Sequence, residues 1–284
     1  MAKRSTKQAF VVGWPISHTR SPLIHSYWLK KYDIDGSYDK HACDPEDFSG
    51  FLARFHQTGF AGGNVTLPFK EQAFALADHV DGVAEAIGAA NTVWHDGEKL
   101  YATNTDAYGF LANLDQQAPD WDCTDNKSCG AMVLGAGGAS RAIIYGLLDR
   151  GFKKVIIANR TLSKAQNLVD RFGHACTAEA PSDLSEQATN VSIVVNTTSL
   201  GMGDNQLPID PKRFNKDTLI NDIVYAPLMT PLLTAAKSAG QPIVDGLGML
   251  LHQAVPGFER WFGIRPEVTD ELRKLLLADL GENT

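Results

Sequence analysis

Ala131-Met-Val-Leu-Gly-Ala-Gly-Gly-Ala-Ser-Arg141 is the stretch that decides the fold. Four apolar residues have the length of a fully buried strand, and the glycines after them hand over at once to a helix-forming run, Ser140 to Arg150, stopped by Gly151. The pattern repeats downstream. Short apolar strands are predicted at Val155 to Ala158, Ile193 to Val195, Leu219 to Val224 and Ile243 to Val244, with a second amphipathic stretch, Ser163 to Phe172, closed by Gly173. Strands alternating with helical crossovers imply a parallel sheet with helices packed on it, a Rossmann-like doubly wound α/β domain.

Within the turn, Gly135 and Gly137 match the first two glycines of a dinucleotide-binding fingerprint, and Ser140 stands where the third would be. With Ala136, Gly138 and Ala139 they form a turn in which the backbone can approach a pyrophosphate and helix N–H groups can point at it. A plain tight strand-to-helix turn is the alternative. The discriminating residues lie about 20 to 25 positions on, where NAD-binding chains place an acid for the ribose 2′-hydroxyl. Here the chain has Asn159-Arg160-Thr161, with Lys164 one turn further along. Arg160 can pair with a 2′-phosphate through two parallel N–H bonds, and Lys164 adds a second cation. This favours NADP over NAD, against the alternative of a solvated basic face.

Upstream, Gln8 to Val12 and Gly62 to Thr66 read as strands, and Pro22 to Lys31 and Phe48 to Thr58 as helices, enough for a separate α/β unit. The polar segment Gln116 to Cys129, with Pro119 and several aspartates, reads as a linker, although the boundary could equally fall near Asp106. Leu247 to Leu280 reads as helical. With 284 residues, 44% of them hydrophobic, the chain can bury two cores. A net charge of −7 without a dense basic run excludes a broad nucleic-acid footprint. No apolar run is long enough for a membrane span, and Ala9 to Val12 is too short for a signal core, so a cytoplasmic protein is expected. Cys43, Cys123, Cys129 and Cys176 show no metal-ligand spacing, so free thiols and no metal are expected. His18, His25 and His252 also lack a ligand partner at metal spacing and read as packing or hydrogen-bonding residues.

Four polar motifs sit beside the buried strands of the first region. In Gly13-Trp-Pro-Ile-Ser-His-Thr-Arg-Ser-Pro22, Thr19 and Ser21 bring hydroxyls to a helix start, suited to an anion or to plain N-capping. Asn64-Val-Thr-Leu-Pro-Phe-Lys70 ends a strand and delivers a lysine to a helix start; Gly88-Ala-Ala-Asn-Thr92 and Thr103-Asn-Thr-Asp106 follow. A ketone reduced by hydride becomes an alkoxide and needs a positioned proton donor, which a lysine and an aspartate sharing a hydrogen bond can supply.

These motifs resemble the shikimate dehydrogenase family. The resemblance runs from Val12 to about Gln253 and rests on Asn64 to Lys70, Asn104-Thr-Asp106, Gly135 to Ala139, Asn159-Arg-Thr161 and Asp245-Gly-Leu-Gly-Met-Leu250. It implies that Lys70 and Asp106 are the catalytic pair, without fixing which of them transfers the proton. It further implies that Thr19, Ser21, Asn91, Asp106 and Gln253 bind the carboxylate and hydroxyls of a ring acid, with Thr66 and Tyr225 lining the same pocket. Asn196 to Met202, including Thr197 and Met202, together with Gly248 and Met249, would face the nicotinamide half of the cofactor. The family commonly has Ser-x-Ser where this chain has Thr19-Arg20-Ser21, which adds a methyl group to the pocket.

The resemblance thus implies NADPH-dependent reduction of 3-dehydroshikimate to shikimate. The implied division is a substrate-binding domain over 1–106 and 246–284, with the C-terminal helices returning to it, and an NADP-binding domain over 107–245. The partner is a small-molecule ring acid, with no nucleic acid and no membrane, and a homodimer is admitted. The alternatives are a quinate or shikimate dehydrogenase using NAD, and a dinucleotide-sensing protein without catalysis.

Overall fold

The computed structural model describes residues 6–185, 189–203 and 205–281. They form two compact units, one made of residues up to Thr105 and from Gln253 onward, the other of Asp106–His252. Among the described residues no helix is long and apolar enough to cross a membrane.

The first unit begins with β1 (Lys7–Gly13), α1 (Ser21–Lys31), β2 (Gly36–Ala42) and α2 (Phe48–Arg54), which tightens into a 3-10 turn at Phe55–Thr58. It continues with β3 (Phe60–Val65), α3 (Lys70–Leu76), β4 (His79–Val80), α4 (Gly82–Ile87), β5 (Thr92–Asp96) and β6 (Lys99–Thr103). The sheet order is β2-β1-β3-β5-β6-β4; β1 pairs parallel with β2 and β3, whereas β5 and β6 form an antiparallel hairpin. Phe10 centres one core, met edge-on by Phe51, Phe55 and Phe60 at 4.9 to 5.1 Å. Neighbouring β3 carries Gly63 because the Phe10 ring fills the space a Cβ would take. Strand β2 and the β5–β6 hairpin go beyond the sequence reading. β2 is polar because it is an edge strand, and the hairpin turns on Gly97, whose φ of 60° suits the first position of a two-residue turn.

The second unit comprises α5 (Asp106–Gln117), α6 (Thr124–Cys129), β7 (Ala131–Leu134), α7 (Gly138–Asp149), β8 (Val155–Ala158), α8 (Leu162–Phe172), β9 (Cys176–Glu179), β10 (Ile193–Asn196), β11 (Leu219–Asp222), α9 (Pro231–Ser238), β12 (Ile243–Val244) and α10 (Leu247–His252). Its strands run in the order β12-β11-β10-β7-β8-β9, and every pairing is parallel. This is the doubly wound arrangement, with the order reversing between β7 and β10. Successive strand residues face opposite cores. Val133, Ile157 and Val195 pack with Phe110, Ile143 and Leu147 on one side, while Met132, Ile156 and Val194 pack with Leu232 and Leu233 on the other.

Two expectations need correction. The linker-like segment Gln116 to Cys129 is largely helical, in α5 and α6, and Trp121 within it is buried, stacked on Phe152 with ring centroids 5.7 Å apart. Asp115 accepts a bond from the Trp121 indole at 3.0 Å, and Arg150 pairs with both Asp115 and Asp122, so the aspartates anchor the segment. Helix α10, expected with the first region, belongs to the second unit. Gly248 there lies against the Asn113 side chain of α5 with no space for a Cβ, and Asn113 Nδ2 donates to the Asp245 carbonyl at 2.8 Å.

The chain completes its first unit with α11 (Ala254–Phe262) and α12 (Asp270–Asp279). Trp261 of α11 donates to the Val93 carbonyl at 3.2 Å. Nearby, His25 is fully buried, stacked parallel to Tyr38 at 3.8 Å, and neither ring nitrogen has a hydrogen-bond partner. Burial lowers its pKa from 6.5 to about 3, so the folded chain holds it neutral. Below pH 6.5 the unfolded chain takes up a proton that the folded chain refuses, and stability falls by about 1.4 kcal/mol per pH unit towards the folded value. His25→Phe keeps the stacking and removes this term. Between pH 7 and pH 5 the wild type is expected to lose about 2 kcal/mol more than the variant, measured by urea unfolding; parallel losses would show that folded His25 takes up the proton.

Candidate functional site

The carboxyl ends of β7, β8, β9 and β10 enclose a cleft of about 550 Å³ at the reversal of strand order. Gly135 turns the chain out of β7 with a φ of 104°, a left-handed conformation that favours glycine, and a Cβ there would lie 2.8 Å from Thr197 Oγ1. Thr197 itself donates its hydroxyl to the Leu134 carbonyl at 2.7 Å. A Cβ on Gly137 or Gly138, by contrast, would meet no protein atom within 4 Å. Packing therefore explains Gly135, while Gly137 and Gly138 keep room beside the amino end of α7. Ser140 fills the third fingerprint position by donating its buried hydroxyl to the Gly137 carbonyl at 2.6 Å.

Arg160, Thr161 and Lys164 line the same cleft with Asn159, whose amide donates to the Thr161 carbonyl at 2.8 Å. Among the described residues no carboxylate lines it. The nearby acid Glu179 accepts from the Ser185 N–H and hydroxyl, both at 2.9 Å. The arrangement suits a polyanion: backbone donors at the turn and two cations at the far wall.

Of the residues singled out for a cofactor, Gly135, Ala136, Gly137, Asn159, Arg160, Thr161 and Lys164 line the cleft. Gly138 and Ala139 lie in the first turn of α7, Thr197 sits under Gly135, and Met202 is 62% exposed. Gly248 and Met249 lie on α10, with Met249 against the core, and do not line it. Ala180 to Ser182 and Thr198 to Leu200 form walls that sequence reasoning passed over or left unassigned individually.

The first unit holds a second constellation. Ser21 opens α1, its N–H donates to Thr19 Oγ1 at 3.3 Å, and the Thr19 hydroxyl donates to Ser21 Oγ at 3.2 Å. Tyr38 donates to Asn64 Oδ1 at 2.6 Å, and Asn64 Nδ2 reaches the Asn91 carbonyl at 3.0 Å and Thr92 Oγ1 at 3.1 Å. Asn91 Oδ1 accepts from the Thr105 N–H and hydroxyl and from Thr92, at 2.9 to 3.1 Å. Thr66 follows β3 and donates its N–H to the Val12 carbonyl at 2.9 Å. Lys70 opens α3, and its carbonyl accepts from Ala90 N at 2.8 Å, tying the lysine's backbone to the Asn91 segment. Gln253 immediately precedes α11. Asp106, at the start of α5, and Tyr225, half-buried after β11, belong to the second unit.

Among the described residues no group of three or more His, Cys, Asp or Glu could hold a metal, and Cys43, Cys123, Cys129 and Cys176 are free. His252 bonds to Gln116 Oε1 at 2.9 Å, and burial lowers its pKa to about 4, so it is neutral near pH 7.

Three family models match the chain: the shikimate dehydrogenase substrate binding domain over residues 11–93, shikimate / quinate 5-dehydrogenase over 120–203, and the shikimate 5′-dehydrogenase C-terminal domain over 246–277. A shikimate dehydrogenase (NADP(+)) of Brucella abortus is 53% identical over 97% of this chain and 96% of its own. Among solved structures, shikimate 5-dehydrogenase from Thermus thermophilus in complex with NADP(H) and shikimate is 33% identical, covers 96% of this chain and 100% of its own, and superposes with a TM-score of 0.84. Quinate dehydrogenase from Corynebacterium glutamicum in complex with NAD is 28% identical, covers 96% and 99%, and gives a TM-score of 0.86. With this agreement in sequence over nearly its whole length, in domain models and in fold, the chain belongs to the shikimate dehydrogenase family.

Proposed function

We propose that the chain reduces the ring ketone of 3-dehydroshikimate to the secondary alcohol of shikimate, with NADPH as reductant and Lys70 and Asp106 handling the proton. The observation that carries the cofactor is the cleft of the second unit, where a glycine turn and two cations converge and, among the described residues, no carboxylate stands. The binding of NADP(H) and shikimate by the Thermus thermophilus relative supports the pairing of substrate and cofactor.

The residues fit the cofactor. Gly135 to Gly137 would hold the pyrophosphate, and Arg160 with Lys164 the 2′-phosphate. When bound, NADPH supplies a hydride to the carbonyl carbon and leaves as NADP+, so the carbonyl oxygen must gain one proton. Lys70 is assigned to that oxygen, since an ammonium donates a hydrogen bond that strengthens as negative charge builds on it. Asp106 is assigned to orient the lysine and to accept from a ring hydroxyl. Thr19 and Ser21 are assigned to the substrate carboxylate, the Thr19 hydroxyl exchanging its hydrogen bond to Ser21 for one to the anion, while Asn91, Thr66, Tyr225 and Gln253 are assigned to the ring hydroxyls and walls.

Lys70→Ala should lower kcat by about 10²- to 10⁴-fold with the KM for shikimate changed far less. The rate is read from nicotinamide absorbance, and turnover near the wild-type value would remove Lys70 from the mechanism. Arg160→Ala deletes charge-assisted bonds worth about 1.5 to 3 kcal/mol, so kcat/KM with NADP should drop roughly 10- to 150-fold. With NAD the change should stay below about 3-fold, because no 2′-phosphate is present; equal losses with both cofactors would place Arg160 elsewhere.

A further inference from the structure

Asp222 ends β11 with its side chain fully buried, and no step above uses it. A carboxylate in that position needs donors, and it has three. Oδ1 accepts from Asn196 Nδ2 and from the Val224 N–H, both at 3.0 Å, and Oδ2 accepts from the Thr230 hydroxyl at 2.8 Å. Burial raises its pKa, and these three bonds oppose the rise.

Each partner leads outward. Asn196 ends β10, and its carbonyl oxygen accepts from the Thr198 N–H at 3.0 Å and from the Thr198 hydroxyl at 2.8 Å; Thr198 lines the cleft. Fixing the Asn196 nitrogen on Asp222 therefore fixes which face of the amide meets Thr198. Val224 and Thr230 bracket the loop that carries Tyr225, and Thr230 also caps α9 by accepting from Leu233 N at 3.3 Å.

We propose that Asp222 is a positioning residue for cofactor binding: through the Asn196 amide it holds Thr198 on the cleft wall and locks that wall to the Val224–Thr230 loop. This rests on the assignment of the cleft to NADPH.

The test is NADPH binding to the full chain without ring acid, followed by nicotinamide fluorescence, for the wild type, Asp222→Asn and Asp222→Ala. Asparagine keeps a carbonyl for Asn196 and Val224 and can donate to the Thr230 oxygen, so its Kd should stay within about 3-fold of wild type. Alanine strands three buried donors and should raise the Kd by about 10-fold or more at temperatures where circular dichroism shows the chain folded. An unchanged Kd in the alanine variant, with only a lower melting temperature, overturns the proposal, as does an asparagine variant as weak as the alanine one. If Asp222→Ala does not fold, Asn196→Leu preserves the volume and severs the same chain one link nearer the cleft. The same rise is expected there, and an unchanged Kd overturns the proposal. A wild-type chain that does not bind NADPH overturns the cofactor assignment itself, and this proposal with it, which separates the two failures.

Discussion

Strands β7, β8 and β10 are buried on both faces, and that constraint governs the second unit. Their side chains alternate between two apolar cores, so none is available along the strand to meet a polar ligand. Polar chemistry is left to the turns at the carboxyl ends, where each strand must hand its last peptide groups to something else. At Gly135 the handover is mutual. The Thr197 hydroxyl satisfies the Leu134 carbonyl, and the missing Cβ of Gly135 makes the approach of Thr197 possible. Neighbouring strands thus fix each other's exits, and the cleft forms where the strand order reverses.

The first unit meets a different problem. A ring acid with several hydroxyls is recognised by groups whose donor and acceptor faces are set beforehand, which requires polar side chains inside the fold. Asn64, Asn91, Thr92 and Thr105 are buried, and each is held by bonds to the others. A buried amide with one face committed cannot flip to suit a wrong ligand, because the flip would place like groups against each other. Tyr38 closes one end of the network through Asn64, and its ring is held in turn by the stack on His25. Aromatic packing in the first unit is in this way continuous with the polar network that carries Asn91.

Much of this was legible in the sequence, for definite reasons. Buried parallel strands read as short apolar runs, so β7, β8 and β10 stand out, and the Gly135 turn with Arg160 announces the cofactor end. Strand β2 escaped because its exposed edge allows Asp39, Lys40 and His41 where an interior strand would carry apolar residues. The β5–β6 hairpin carried a signal in Gly97, between two short runs with β-formers, that the polar motifs on either side overshadowed. Gln116 to Cys129 looked like a linker because it is polar and holds a proline and several aspartates; Asp122 within it and Asp115 just before it pair with Arg150, across 28 and 35 residues, which no local pattern displays. The walls at Ala180 to Ser182 and the hub at Asp222 depend likewise on strand order, which is a property of the sheet.

The preference for a 2′-phosphate depends as much on where the acids point as on where the cations stand. Three strand ends of the second sheet carry or adjoin an acid: Glu179 at the end of β9, Asp222 at the end of β11 and Asp245 just after β12. Each turns its oxygens inward. Glu179 serves Ser185; Asp222 serves Asn196, Val224 and Thr230; and Asp245 Oδ1 accepts from Leu247 N at 3.0 Å. Their negative charge remains in the fold, but their lone pairs are committed to their own loops and do not compete for Arg160 or Lys164. Exchanging the polarity of the cofactor site would therefore take more than replacing Arg160 by an acid. That acid would need a ribose hydroxyl within reach, and Lys164 on the same wall would draw it away, so on the proposed assignment cofactor choice is distributed over a wall of which Arg160 is one part.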